Sequence, residues 1–317
     1  MKRLLLLAPV TAALMTACPA STPIPLPVTL ASFTLSGVSG PLLIDNSAKL
    51  TVTATGSDGQ TFAGTPIFTS SDANAVFVAA DGTVMARHLS STPVVITASL
   101  GAKTATINVA TYGLDATGGT YSSLYKASPS VYRASNFLAT FKDASGAVVT
   151  SGAVTVQGPA TYNSGKPANF DLSTSLGVSN FPQVVLSAPL VSGSYTASVT
   201  VNAIVYKKTF ALDATQVLAP PSGVTLAATS TGYTLSGIAP IGAAGGVKAA
   251  IATTNGTILA DSAWYQTLSA SGTWSKTLAS GTDAAYIESS SALISPTATL
   301  PNQLNMSDYQ LDNVIIP

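Results

Sequence analysis

Gly193-Ser194-Tyr195-Thr196-Ala197-Ser198-Val199-Thr200-Val201 and, after Asn202-Ala203, Ile204-Val205-Tyr206-Lys207-Lys208-Thr209-Phe210-Ala211-Leu212 form the stretch that decides the fold. Tyr195, Ala197, Val199 and Val201 stand at alternate positions, so an extended chain puts all four on one face. The second segment follows after a short turn, and the two together predict an antiparallel hairpin.

The composition agrees with a strand-built molecule. The chain has 317 residues, 13 Lys+Arg against 13 Asp+Glu, and only 8% charged residues, whereas Ser and Thr make up roughly a quarter. Glu occurs once, at Glu288, while Thr, Val, Ile and Tyr are plentiful, which disfavours long helices and favours strands. An almost all-β protein with a hydroxyl-rich surface is expected. With 46% apolar residues the chain can build packed cores. Balanced charge removes the electrostatic footprint of a nucleic-acid binder. One His and one Glu leave few candidates for acid–base catalysis, so the expectation is a protein that is not an enzyme.

Internal similarity sets the domains. Tyr112-Gly113-Leu114-Asp115-Ala116-Thr117 recurs as Phe210-Ala211-Leu212-Asp213-Ala214-Thr215, 98 residues later, and Tyr309-Gln310-Leu311-Asp312 echoes it again. Read as the exit of each domain's last strand, the motif divides the chain into 28–115, 116–215 and 216–317, each the size of one sandwich of about seven strands. The first unit runs through Leu50–Thr55, Ile67–Asp72, Val76–Val78, Val84–Ala86, Val94–Ala98 and Thr104–Val109, with turns at Ser57-Asp58-Gly59 and Asp81-Gly82. Ser70-Ser71-Asp72, Val76, Val78, Gly82-Thr83-Val84, Ala86 and Ile96-Thr97-Ala98 resemble the bacterial Ig-like domain of group 2, found in intimin- and invasin-type surface proteins. Phe68 stands where that family often has Trp, and Ser90 to Pro93 replace its usual Gly-containing turn. The resemblance implies a β-sandwich and no shared catalytic residues. In the second unit, Tyr195 resembles the tyrosine corner of Ig-like folds. The third, after Pro220-Pro221, looks like a fibronectin-III or carbohydrate module on pattern alone, with Val314-Ile315-Ile316-Pro317 as a closing strand. The fold class expected is therefore all-β, three tandem Ig-like or fibronectin-III-like sandwiches.

The N-terminus supplies an address. Lys2 and Arg3 precede an apolar stretch from Leu4 to Leu14, too short to span a bilayer, which needs about 20 apolar residues. Leu14-Met15-Thr16-Ala17-Cys18 resembles the lipobox of bacterial lipoproteins, and Cys18 is the only cysteine of the chain. The resemblance implies a signal peptide over 1–17, lipidation at Cys18 and a membrane-anchored, extracytoplasmic envelope protein without disulfides. Residues 18–27 carry prolines at 19, 23, 25 and 27 and read as a stiff polyproline tether of roughly 30 Å.

Candidate chemistry is sparse. His88 is read as a surface or turn residue, and a single histidine excludes an all-His zinc site. Asp58, Asp72, Asp81 and Asp143 stand in turn contexts, which account for them without catalysis. Asp115 and Asp213 recur near domain exits; calcium would need six to eight oxygen ligands, and a turn or cap role is expected instead. No cofactor beyond the N-terminal lipid is expected. Trp264, Tyr265 and Trp274, which include both tryptophans, form the candidate ligand-binding residues, since exposed aromatic faces suit sugar rings. A sandwich core is the competing account of Trp274. The function expected is a non-catalytic binding, adhesion or scaffold subunit of a surface complex. The alternatives are a carbohydrate or peptidoglycan binder using the C-terminal aromatics, and an enzyme or enzyme accessory. Its partners would be the membrane, through the lipid, and an envelope protein or cell-wall glycan.

Overall fold

The computed structural model describes residues 27–125, 128–172, 183–185, 190–229, 232–252, 258–261, 273–278, 284–290 and 299–311. The signal segment, Cys18 and all of the tether but Pro27 lie outside the described residues, as do Trp264, Tyr265 and residues 314–317. Among the described residues no helix is long and apolar enough to cross a membrane.

The hydroxyl-rich, β-branched chain folds into strands throughout. The first nine are β1 (Leu30–Ser36), β2 (Leu42–Leu43), β3 (Ser47–Lys49), β4 (Thr51–Gly56), β5 (Ile67–Ser70), β6 (Val76–Val78), β7 (Thr83–Ala86), β8 (Val94–Leu100) and β9 (Lys103–Val109). They pair as β1-β4, β3-β7-β6 and β5-β8-β9 around a core of Leu50, Val76, Val84, Val94, Ile96 and Val109. In β8 the alternation Val94, Ile96, Ala98 turns these side chains fully inward. Phe68 packs on this core beside Gly82, where a φ of +82° and a Phe68 ring 3.1 Å from any added Cβ both oppose a side chain.

Four aspartates read as turn residues behave as such. The carboxylates of Asp58, Asp72, Asp81 and Asp143 accept the backbone N–H two residues on, from Gln60, Asn74, Thr83 and Ser145, at 2.9–3.0 Å. Asp81 also accepts the Lys49 ammonium at 2.8 Å, and this bond, with those from Thr83, holds its carboxyl down at about 2.

The molecule is organised by one long hairpin, β10 (Thr111–Tyr125) with β11 (Ser128–Lys142), fifteen residues a side and about 50 Å long. The first sandwich passes into the second inside β10. Asp115, expected near a domain exit, is the fifth residue of this strand, whereas Asp213 does stand in a turn after its strand. The reason is burial on both faces: Leu114 and Ala116 enter the second core on one side, and Asp115 and Thr117 are covered on the other.

The second core forms between the near half of the hairpin, flanked by β12 (Val148–Val149), and a sheet of β13 (Ala153–Gln157), β14 (Ala168–Asp171), β16 (Gly193–Val201) and β17 (Ile204–Leu212). The short β15 (Gln183–Val185) pairs with β11. Sheet order is β14-β13-β16-β17, so β17 is an edge among the described residues. The β16–β17 hairpin has the bounds its alternation predicts, and Asn202 and Ala203, at φ +50° and +62°, make the two-residue turn whose twist suits a hairpin. Phe137, Tyr162, Phe170, Tyr195 and Phe210 cluster with centroids 5.1–6.3 Å apart. Such ring pairs add about 0.5–1.5 kcal/mol beyond area burial. The Tyr195 hydroxyl donates to the Val191 carbonyl at 2.7 Å, the geometry of a tyrosine corner, and burial, then Tyr162, raises its pKa.

The remaining strands are β18 (Ser222–Thr229), β19 (Gly232–Ile238), β20 (Gly246–Ala252), β21 (Ile258–Asp261), β22 (Thr273–Leu278), β23 (Ala284–Ser290) and β24 (Met306–Leu311). Beyond residue 120 the hairpin joins four of them, β24, β23, β20 and β21. The largest sheet runs β12-β11-β10-β24-β23-β20-β21, with β24 parallel to β10 from Tyr121↔Met306 to Tyr125↔Gln310. A separate sheet is β18-β19-β22. Just before β24, Leu304 N–H donates to Gly118 O and Thr120 N–H to Asn305 Oδ1, which continues the pairing of the β10 edge. On its other end that edge holds β2, paired at Thr111 and Tyr112. Elements from both ends of the chain are thus fastened to one strand.

Candidate functional site

The clearest concentration of chemistry lies where the loop after β7 meets β10. Leaving β7, the chain presents Arg87, His88, Leu89 and Ser90 to the covered face of the hairpin. His88 is 5% exposed and Asp115 fully buried, so the surface or turn role expected of His88 is corrected. Its Nδ1 lies 3.0 Å from Asp115 Oδ1 and its Nε2 3.2 Å from Asn302 Oδ1. Asp115 Oδ2 accepts Leu89 N–H at 2.7 Å, and Thr111 Oγ1 accepts Ser90 N–H at 3.0 Å. The ammonium of Lys142 donates to the Ser90 carbonyl. From β17, Lys208 donates to Asp45 Oδ1 and to the Arg87 carbonyl, both at 2.7 Å. Thr299 Oγ1 donates to Asp72 Oδ2 at 2.7 Å from the far end of the chain. Residues far apart in the chain, at 45, 87–90, 111–115, 142, 208 and 302, therefore converge on one polar junction.

Both His88 nitrogens face oxygen acceptors, and only the imidazolium donates from both. Burial is the largest influence on its pKa and lowers it. The hydrogen bond and charge of Asp115, helped by Asn302 and opposed by Lys208, outweigh burial, and the net shift is upward from 6.5. A raised folded-state pKa means that this contribution to stability is fully present below pH 6.5 and is lost as pH rises through the folded value. Because His88 is the only histidine, its imidazole proton resonances report it without assignment. Their titration in the full chain is expected to turn above 6.5, with denaturant stability falling through the same window. A midpoint at or below 6.5 would contradict the ion pair.

Beside the junction runs a groove of about 930 Å³ lined by Arg87, His88 and Pro301 to Gln303, and floored by Lys208 to Leu212 of β17 with Asp213 after it. At its end the Gln303 carboxamide accepts Asp213 N–H at 2.8 Å and donates to Asp213 O at 3.0 Å. Asp213 also accepts from Thr215 and Gln216, and the Thr215 bonds lead in lowering its pKa, so it holds a turn. Among the described residues no three His, Cys, Asp or Glu side chains stand together.

Of the residues singled out for ligand binding, Trp264 and Tyr265 lie outside the described residues, as does Cys18. Trp274 is placed by its backbone alone, in β22 opposite Gly237 of β19. The junction was missed because its partners lie far apart, 27 and 214 residues from His88. One signal pointed to it: in Leu114-Asp115-Ala116 the aspartate interrupts two core residues, which puts a carboxylate on the opposite face of the strand.

No family model matches the chain, and no curated protein matches it in sequence. Solved structures with some likeness include domains 5–6 of the S-layer protein SbsC, at 16% identity and TM-score 0.25, covering 59% of this chain and 98% of that one. The Escherichia coli adhesin FdeC is 12% identical at TM-score 0.23, covering 90% and 99%. Three N-terminal domains of the outer capsid protein Hoc of bacteriophage RB49 are 11% identical at TM-score 0.21, covering 89% and 100%. At such scores the spatial arrangements differ, and the all-β assignment rests on the strands and sheets described above.

Proposed function

We propose that the protein is a lipid-anchored, extracytoplasmic envelope protein acting as a non-catalytic binding or scaffold subunit of a surface complex. The single observation behind this reading is the position of Cys18, the chain's only cysteine, directly after a basic and apolar leader and before a proline tether. The resemblance of residues 67–98 to a bacterial Ig-like domain supports it. So does a junction held by the buried His88–Asp115 pair and the half-buried Lys208–Asp45 pair, an arrangement suited to holding a surface in place. In this reading Asp58, Asp72, Asp81, Asp143 and Asp213 serve turns, and His88 and Asp115 serve the junction.

Replacing Cys18 by Ser is expected to move the protein from the detergent to the aqueous phase on phase separation and to abolish incorporation of labelled fatty acid. An unchanged distribution would exclude the anchor. The clustering of both tryptophans in residues 216–317 favours a second reading, a glycan-binding surface. Retention of the full chain on isolated cell-wall polysaccharide, lost in Trp264→Ala/Trp274→Ala, would select it; retention only on protein-containing envelope would select the scaffold.

A further inference from the structure

The β17 edge deepens the proposed role by naming the kind of partner, and it rests on that reading only for where the partner is met. Val201 and Ile204 flank a two-residue turn and so exchange both their hydrogen bonds. With period two, Tyr206, Lys208, Phe210 and Leu212 then direct N–H and C=O towards β16, while Val205, Lys207, Thr209, Ala211 and Asp213 direct theirs outward. Asp213 confirms the phase, since both its outward groups are taken by the Gln303 carboxamide, which imitates one residue of a neighbouring strand. Thr209 and Ala211 come next along the same edge; both are exposed, both floor the groove, and β17 pairs with no strand but β16 among the described residues. An edge left with unpaired backbone groups is a template for another strand.

The groove walls define the chemistry of what enters. Lys208 is engaged by Asp45 and His88 by Asp115, but Arg87 takes part in no ion pair among the described residues, its guanidinium lying 4.2 Å from the Phe77 ring centre. We propose that the β17 edge binds an extended acidic polypeptide segment of another envelope protein by strand addition, with its backbone on Thr209 and Ala211 and a carboxylate on Arg87. A segment of about five residues spans the floor from Lys208 to Leu212.

The test uses the full chain in detergent micelles and a fluorescent octapeptide, capped at both ends, of alternating threonine and valine with one central aspartate. Binding is expected together with slowed deuterium uptake at Thr209 and Ala211, and N-methylation of alternate peptide amides should abolish it. Ala211→Pro removes only an outward N–H, so it should weaken binding by about tenfold while the β16-facing amides stay protected. Thr209→Pro serves equally if the first variant misfolds. Arg87→Glu should reverse the preference between this peptide and its lysine counterpart. Failure of both peptides to bind, or binding indifferent to the proline variants, overturns the proposal. Slow exchange at these amides in the free protein that disappears on dilution would assign the edge to a second copy instead. Phase partition of the Cys18 variant is unaffected by either result, so anchor and edge fail separately.

Discussion

Asp115→Ala is expected to destabilise the protein by about 3–5 kcal/mol, because it strands a buried cation rather than trimming a contact. Asp115 is fully buried and holds His88 Nδ1 at 3.0 Å and Leu89 N–H at 2.7 Å. Removing the carboxylate leaves an imidazole that must shed its proton and a backbone donor with no acceptor, each at a cost. Asp115→Asn separates the two: its amide oxygen still accepts Leu89 N–H, but its NH2 requires a neutral ring. That variant should recover part of the loss and shift the His88 titration downward. Urea midpoints of the three proteins measure the effect, and a loss below about 1 kcal/mol for Asp115→Ala would mean that the pair is solvated.

The second large effect is steric. A Cβ on Gly119 would stand 1.7 Å from Leu304 O and 2.3 Å from its carbonyl carbon, both backbone atoms of the segment that leads into β24. That segment is fixed by Leu304 N–H on Gly118 O and by Leu304 and Met306 in a small core with Leu138 and Leu300. Gly119→Ala must therefore push the C-terminal strand off β10, and a loss of about 3 kcal/mol is expected. Gly40→Ala, with no atom within 4 Å, is the control and should stay within about 0.5 kcal/mol of the parent. Equal midpoints for the two variants would show that residues 304–306 do not rest on the hairpin.

What was legible in the chain is what local chemistry dictates. The β16–β17 hairpin follows from alternation and a two-residue turn, the turns at Asp58, Asp72, Asp81 and Asp143 from side chains that bond their own backbone, and Tyr195 from its place in a penultimate strand. The central hairpin was hidden for the opposite reason. Both faces of β10 are covered, so Thr111 to Tyr125 shows no alternation, and Gly118-Gly119 with its flanking threonines and serines reads as loop. The glycine is there because a carbonyl comes within touching distance, a long-range fact. The parallel pairing of β10 with β24 joins residues 185 apart, beyond any local pattern. His88 lacked a signal because a lone histidine in a loop takes its meaning from what folds over it.

Together these features make the first two sandwiches one body, joined through β10 and closed by the His88–Asp115 and Lys208–Asp45 pairs. Hydrogen exchange along a denaturant series in the full chain tests this most directly, comparing the Ile96 amide of β8 with the Val199 amide of β16. The account predicts that both exchange through the same opening, with equal free energy and equal denaturant dependence, and that Asp115→Ala lets Ile96 open first. Independent opening of the two amides in the parent protein would contradict it.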